Sequence, residues 1–370
     1  MLKGAYFSIY HEEKFPFEAP YGGAYRNAVI GALNKMKKAG LNYLMWFIPI
    51  PRTVRKPYKG NAAGQPFEEW ANFTFLDNLV ALLDDCYDLG ICVELDLADN
   101  RWIPFSIRPQ EHIGKPDGLW PVAGEEPWKD SIEWYTAIID YVEKSVRNVE
   151  TIAMWCMTGN FQLGGSEPVV WDGEGQPDIV NASERYVKEC WPLFRATGKR
   201  PKGSPYMMPI FVNGGYWVGP PERGKFIEDT YWADKTPTCR LSSFSNIKKW
   251  LADDLNIPPD YWMMSSYAYC DPARDGVNYM KEITGILGGT APIITTDLKC
   301  VPGHEYELIN SLVYRPDMNF TDMMRWHLEK CEEYGFAGWW IWALQDSEDH
   351  PWGVIDKNGV IRQEFMDAFI

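Results

Sequence analysis

The sequence has no apolar run of about 18 residues, so no segment reads as a membrane-spanning helix. None of its eight cysteines forms a CxxC pair. That removes the usual zinc and redox patterns and leaves buried reduced thiols as the reading. Histidine is scarce: His11, His112, His304, His327 and His350 are dispersed along 370 residues. His304 and His350 fall in loops, and surface or structural roles suit them better than a shared site. Basic charge is in deficit, with 36 Lys and Arg against 51 Asp and Glu and a formal net charge of −15. Such a chain gains nothing from nucleic acid or from an anionic membrane. Gly214 and Gly215 lead into Tyr216 and Trp217 with no Gly-Lys-Ser/Thr at a helix start, so they are not a phosphate loop. There is no internal repeat, low-complexity tract or linker, and no cofactor or metal is implied. The chain opens Met-Leu-Lys-Gly-Ala-Tyr without a basic and apolar leader, which predicts a cytoplasmic protein. A secreted or periplasmic protein trimmed of its leader would begin the same way.

What the sequence has in excess is aromatic surface. Aromatics make up 15% of the chain, including 18 Trp, within an ordinary soluble composition of 46% apolar and 24% charged residues. Ring faces in that number suit a surface that stacks on neutral, flat ligands, and an acidic cleft suits polyols or cations.

Along the chain, strand-length apolar runs alternate with stretches of helical spacing. Strands are predicted over 2–10, 41–50, 91–97, 151–157, 206–212, 261–269 and 292–296, with the last in the run that opens at 335. Helices are predicted over 25–39, 73–89, 130–147, 182–196, 242–255, 276–287 and 321–334, several closed by glycine before the next strand. Strand and helix alternating eight times predict parallel βαβ units, and at this length a single (β/α)8 barrel domain over 1–370. The longer loops follow strands 2, 3, 4, 5 and 7, on the C-terminal face where such barrels place their sites.

The segment 335–369 is the most distinctive. It reads Gly-Phe-Ala-Gly-Trp-Trp-Ile-Trp-Ala-Leu-Gln-Asp, then an acidic loop, then Trp-Gly-Val-Ile-Asp-Lys-Asn-Gly-Val and a short final helix. Trp339, Trp340 and Trp342 are either crowded core or a flat platform at the mouth of a pocket. The platform is the expectation, with Trp342 at its centre.

This stretch resembles the last strand of the retaining glycoside hydrolase clan built on (β/α)8 barrels. There a Gly-x-x-x-Trp strand precedes a Trp-Gly-Leu-Val-Asp-x-x-Gly segment. The resemblance implies hydrolysis of a β-linked oligo- or polysaccharide, with a carboxylate after strand 7 as nucleophile and an Asn-Glu pair after strand 4 as sugar ligand and acid/base. Strand 7 reads Pro-Ile-Ile-Thr-Thr-Asp, so Asp297 stands at the nucleophile position. Strand 4 runs into Thr-Gly-Asn-Phe-Gln, so Asn160 matches the Asn while Phe161 replaces the acid, with Gln162 the nearest amide. Met45 and Ala98 stand where an Arg and a His are common, and Tyr267 and Tyr269 stand where His-x-Tyr is frequent.

Glycoside cleavage needs one group to protonate the leaving oxygen and another to attack or to activate water. Asp297 fills the second role, and the donor would come from a loop: Glu167 or Glu174 after strand 4, Asp99 after strand 3, or Asp346, Glu348 or Asp349 after strand 8. Each of these alone also reads as a solvated loop charge. Asp is a methylene shorter than Glu, which widens the gap toward the roughly 6.5–9.5 Å of inverting enzymes. Trp155, Trp339, Trp342, Tyr267 and Tyr269 are expected to line a ring-stacking cleft, with Asn160, Gln162, Asn213, Trp217 and Asp346 as further ligands of the sugar. Glu94 and Asp96 share one face of strand 3, and Asp96 reads as structural support. The alternative to a hydrolase, carried by Phe161, is a barrel that binds carbohydrate without turnover.

Overall fold

The structure is a computed structural model that describes residues 1–7, 21–48, 53, 66–97, 127–156, 188–189, 191–196, 206–210, 248–265, 284–298, 319–341, 343–346 and 353–369. Eight parallel strands close into a barrel in chain order: β1 (Leu2–Tyr6), β2 (Tyr43–Phe47), β3 (Cys92–Asp96), β4 (Ile152–Cys156), β5 (Tyr206–Ile210), β6 (Tyr261–Ser265), β7 (Ile293–Leu298) and β8 (Gly338–Ile341). The ring shuts where β8 pairs with β1, Leu2 opposite Gly338 and Ala5 opposite Ile341. Around it lie α1 (Gly23–Lys38), α2 (Phe73–Leu89), α3 (Pro127–Ser145), α4 (Phe320–Glu333) and the short α5 (Gln363–Phe369). This is the α/β barrel that the alternation predicts.

Strand starts differ from the sequence expectation for a common reason. Gly40, Gly90 and Gly335 each end a helix in the left-handed region, at φ +81°, +65° and +68°. The apolar residue that follows donates its amide back into the helix: Leu41 to Met36 O, Ile91 to Cys86 O and Phe336 to Cys331 O. Leu41, Ile91 and Phe336 therefore belong to the helix caps, where an apolar side chain packs on the last turn, and the strands begin beyond them.

Residues alternate between the two faces of each strand. The outward set, including Ala5, Leu44, Trp46, Val93, Leu95, Trp155 and Trp262, is buried in one continuous core with Val29, Leu33 and Met36 of α1 and Leu76, Leu79 and Leu83 of α2. The inward set forms a second cluster: Tyr6, Tyr43, Met45, Met154, Cys156, Met263, Ile294, Trp340 and Ala343. An eight-stranded barrel is just wide enough inside for side chains to fill it. Large rings there need small residues beside them. A Cβ on Gly4 would sit 2.5 Å from Tyr43 Cδ1, 2.6 Å from Tyr43 O and 3.1 Å from Trp340 Cβ.

Two pairings slip by one residue. Between β3 and β4, Val93 faces Ile152 and Glu94 faces Met154, so Ala153 is extra. Between β7 and β8, Thr295 faces Trp339 and Leu298 faces Ile341, which leaves one more residue on β7 than on its partner.

Gly4→Ala is expected to lower stability by about 2 kcal/mol, the cost of overpacking against backbone that cannot retreat. Chemical denaturation reads it, and an unchanged midpoint would show that the β1–β2 contact is looser than it stands.

Candidate active site

Among the described residues, the barrel interior carries two fully buried acids. Glu94 and Asp96 lie on the inner face of β3, both fully buried, because Val93 and Leu95 occupy its outer face. Asp96 is the last residue of β3, level with Phe47 of β2 and Cys156 of β4, and its carbonyl accepts a 2.7 Å bond from Ile48 N. Asp96 is thus one inner position nearer the C-terminal face than Glu94. From β2, the Tyr43 hydroxyl donates to Glu94 Oε2 and lies 3.5 Å from Met154 Sδ. Burial raises the Tyr43 hydroxyl pKa well above its ordinary value, and the Glu94 charge and hydrogen bond raise it further. Tyr43 therefore stays a donor, and the oxygen it meets is the acceptor of the pair.

Trp340, on the inner face of β8, is also fully buried, 6.4 Å from the Tyr6 ring. Its indole N–H finds no acceptor among the described residues.

Asp297 is the penultimate residue of β7, inside the stretch where β7 gains a residue on β8. Bulges of this kind bend a strand and re-aim the residues beyond them, and they gather beside active sites. Glu167, Glu174, Asn160, Gln162, Asn213, Trp217, Tyr267, Tyr269 and Trp342 lie outside the described residues, as do Asp99 and Phe161.

Three expected ligands stand elsewhere than in a cleft. Trp155 is on the outer face of β4, fully buried, and its indole N–H donates a 2.6 Å bond to Glu143 Oε1 of α3. Trp339 is on the outer face of β8, 1% exposed, with its ring 5.3 Å from Phe369 of α5. Neither ring has a free face, so neither stacks on a ligand in this arrangement. Period two explains both: on β8 it is Trp340, between Trp339 and Ile341, that points inward.

Asp346 is the third. It accepts bonds from Gly353 N at 2.6 Å, Lys357 N at 3.1 Å and Arg362 Nη2 at 2.6 Å, with its side chain 5% exposed. Arg362 Nε also donates to Gly353 O at 3.0 Å. Around this knot Leu344 N bonds Tyr6 O, Val354 N bonds Ala343 O and Ile355 N bonds Leu344 O, continuing the sheet past β8. Gly353 approaches so closely that a Cβ on it would lie 2.3 Å from the Gln345 carbonyl carbon. The expected Lys-Asn-Gly turn is present: Asp356 Oδ1 accepts from Asn358 N and Val360 N, both at 2.8 Å, and Gly359 has φ +76°. Asp346 is a latch that fixes the segment after β8.

Among the described residues no three His, Cys, Asp or Glu side chains gather as a metal ion would require, and no helix is long and apolar enough to cross a membrane.

These features define a (β/α)8 barrel with carboxylate-bearing residues at the C-terminal ends of two strands. No family model and no curated protein matches the chain. Solved structures do. A GH5_18 protein from Bifidobacterium longum subsp. longum matches with a TM-score of 0.59 at 12% identity, over 100% of this chain and 78% of that one. A variant of the Bifidobacterium protein in complex with Manβ1-4GlcNAc gives 0.60 at 11% identity, over 100% and 77%. The hyperthermostable endo-1,4-β-D-mannanase of Thermotoga petrophila gives 0.54 at 13% identity, over 98% and 92%. At these identities the likeness is one of fold.

Asp346→Ala is expected to cost about 2–3 kcal/mol, since it strips a partly exposed guanidinium and two amides of an acceptor whose own side chain is nearly buried. A melting temperature unchanged in the variant, with weakened glycan binding, would instead make Asp346 a ligand of the sugar.

Proposed function

We propose that this chain is a glycoside hydrolase of the retaining (β/α)8-barrel clan, divergent at the acid/base position, acting on a β-linked oligo- or polysaccharide at the C-terminal face of the barrel. The observation that carries the reading is Asp297, the penultimate residue of β7, within the β7–β8 register shift. The fold supports it, because the solved structures sharing it over most of this chain include mannanases and a xylanase. Asp297 is the nucleophile, or the base that takes a proton from water. Asn160 holds the sugar beside the reacting carbon, and Trp342, Tyr267 and Tyr269 supply ring faces. Gln162, Asn213 and Trp217 extend the site along the glycan, and Glu167 and Glu174 are the loop carboxylates within the same strand-4 segment. No cofactor is called for, since two carboxyl groups suffice for the chemistry.

Phe161 favours a second reading, a barrel that binds glycan without cleaving it, because phenylalanine holds no proton to give. Product release from β-mannans, β-glucans, xylans and aryl β-glycosides, with binding measured in parallel, separates the two. The expected result is cleavage that falls by about 10²–10⁴-fold in Asp297→Ala, the usual contribution of a positioned acid or base. Binding of the glycans with no product from any of them establishes the second reading.

A further inference from the structure

Arg362 stands between the latch after β8 and the final helix, and it grips both sides of that latch. Its planar guanidinium spans two acceptors: Nη2 donates to Asp346 Oδ2 at 2.6 Å and Nε donates to Gly353 O at 3.0 Å. Its own amide donates to Val354 O at 2.9 Å. The next residue opens α5, whose Phe369 ring lies 5.3 Å from Trp339. Arginine suits this place because its rigid fork reaches two acceptors, where the point charge of a lysine reaches one.

What this clamp holds is the end of β8. Along β1 and β8 the register is constant, from Leu2 opposite Gly338 to Ala5 opposite Ile341, and Leu2 N bonds Ala337 O. Continued evenly, that ladder offers Tyr6 O the amide of residue 343. The amide that reaches it is that of Leu344, at 2.8 Å. The side chains show the same offset. Ile341 and Leu344 both belong to the outer core, three positions apart instead of two, while Ala343 belongs to the inner cluster. One residue more than the ladder needs therefore falls between Ile341 and Leu344, beside position 342. An extra residue of this kind re-aims its neighbours, and the backbone groups it frees need partners elsewhere. The segment returning from Gly353 supplies them: Val354 N bonds Ala343 O at 3.0 Å, Ile355 N bonds Leu344 O at 2.8 Å, and Asp346 N bonds Ile355 O at 2.9 Å. Residues 343–346 are thus held by β1 on one side and by 353–355 on the other. The two segments touch where a Cβ on Gly353 would meet the Gln345 carbonyl carbon at 2.3 Å, and Arg362 pins them together there.

We propose that Arg362 is a positioning residue: by clamping Asp346 to Gly353 it fixes the offset after Ile341, and so sets where the side chain at position 342 stands at the C-terminal face. The consequence for binding rests on the reading of Trp342 as a ring offered to the glycan. Arg362 acts through the backbone of 343–346, so its loss moves that ring without removing it.

The test reads the ring and the binding separately. Labelling with 5-fluorotryptophan gives fluorine resonances for the 18 Trp, and the one missing in Trp342→Phe belongs to position 342. In Arg362→Ala that resonance is expected to shift or broaden, while that of Trp155, bonded to Glu143 on the outer side of β4, stays in place. Arg362→Lys, which keeps one bond of the two, is expected to move it less. A Trp342 resonance at its wild-type position in Arg362→Ala overturns the proposal, whatever the binding does. The second arm uses oligosaccharides of β-mannan, β-glucan and xylan. Arg362→Ala is expected to weaken their binding and raise KM by about 10-fold, the size of one aromatic contact, with kcat within about 3-fold. Combined with Trp342→Ala it is expected to add no further loss, because the ring it places is gone. Losses that multiply in the double variant belong to a general loosening of the fold and overturn the proposal. Arg362→Lys reads the same resonance and the same cycle in case Arg362→Ala does not fold. A wild type that binds none of these glycans, with the Trp342 resonance still moved in the Arg362 variants, sinks the reading of Trp342 as a sugar platform and leaves its placing by Arg362 established.

Discussion

Closing eight parallel strands into a ring removes every sheet edge but creates an inside that must be filled, and much of this molecule follows from how it is filled. Tyr6, Tyr43, Met45, Met154, Met263 and Trp340 crowd the axis, and glycine at positions 4 and 338 makes room beside them. A Cβ on Gly338 would lie 2.8 Å from both Leu2 Cβ and Leu2 O at the β8–β1 closure. Packing that tight excludes water. Two carboxyl groups set into it are therefore governed by their neighbours rather than by solvent, which makes a hydroxyl donor under Glu94 consequential.

Among the described strands the ladder changes register at two places, where Ala153 is added to β4 and one residue to β7. Both lie on strands that carry chemistry in the proposed site or run into a loop that does. Elsewhere the joints are uniform: three helices end in a left-handed glycine and hand an apolar residue back to their own last turn before the next strand begins. Regular joints fix strand heights around the ring, so that the irregular pairs stand out as local adjustments of the C-terminal rim.

The order of strands and helices was legible because apolar runs and helical spacing differ in period, and α2 spans 73–89 as its leucine pattern predicts. Which strand face looks inward was not. A parallel strand is buried on both sides, so its sequence lacks the alternation that marks a half-exposed strand. That is why Trp155 and Trp339 read as cleft residues and stand instead under α3 and α5. A signal was present on β3, where Glu94 and Asp96 alternate with Val93 and Leu95. The helices outside offer an apolar surface, so the acids had to face the axis. Asp346 misled for another reason. A carboxylate in an acidic loop looks solvated until Arg362 and the amides of Gly353 and Lys357 arrive from up to 16 residues downstream.

The same acids bear on what the barrel can accept. A chain with a formal net charge of −15 and two buried carboxyl groups on the barrel axis is poorly matched to anionic ligands. Glycans built of uronic acids, or carrying sulfate or phosphate, would bind such a chain against its net charge. Neutral hexose or pentose polymers meet no such opposition, and they need only ring faces and hydroxyl partners to bind. Under the proposed function, that charge balance suits uncharged β-glycans better than acidic ones.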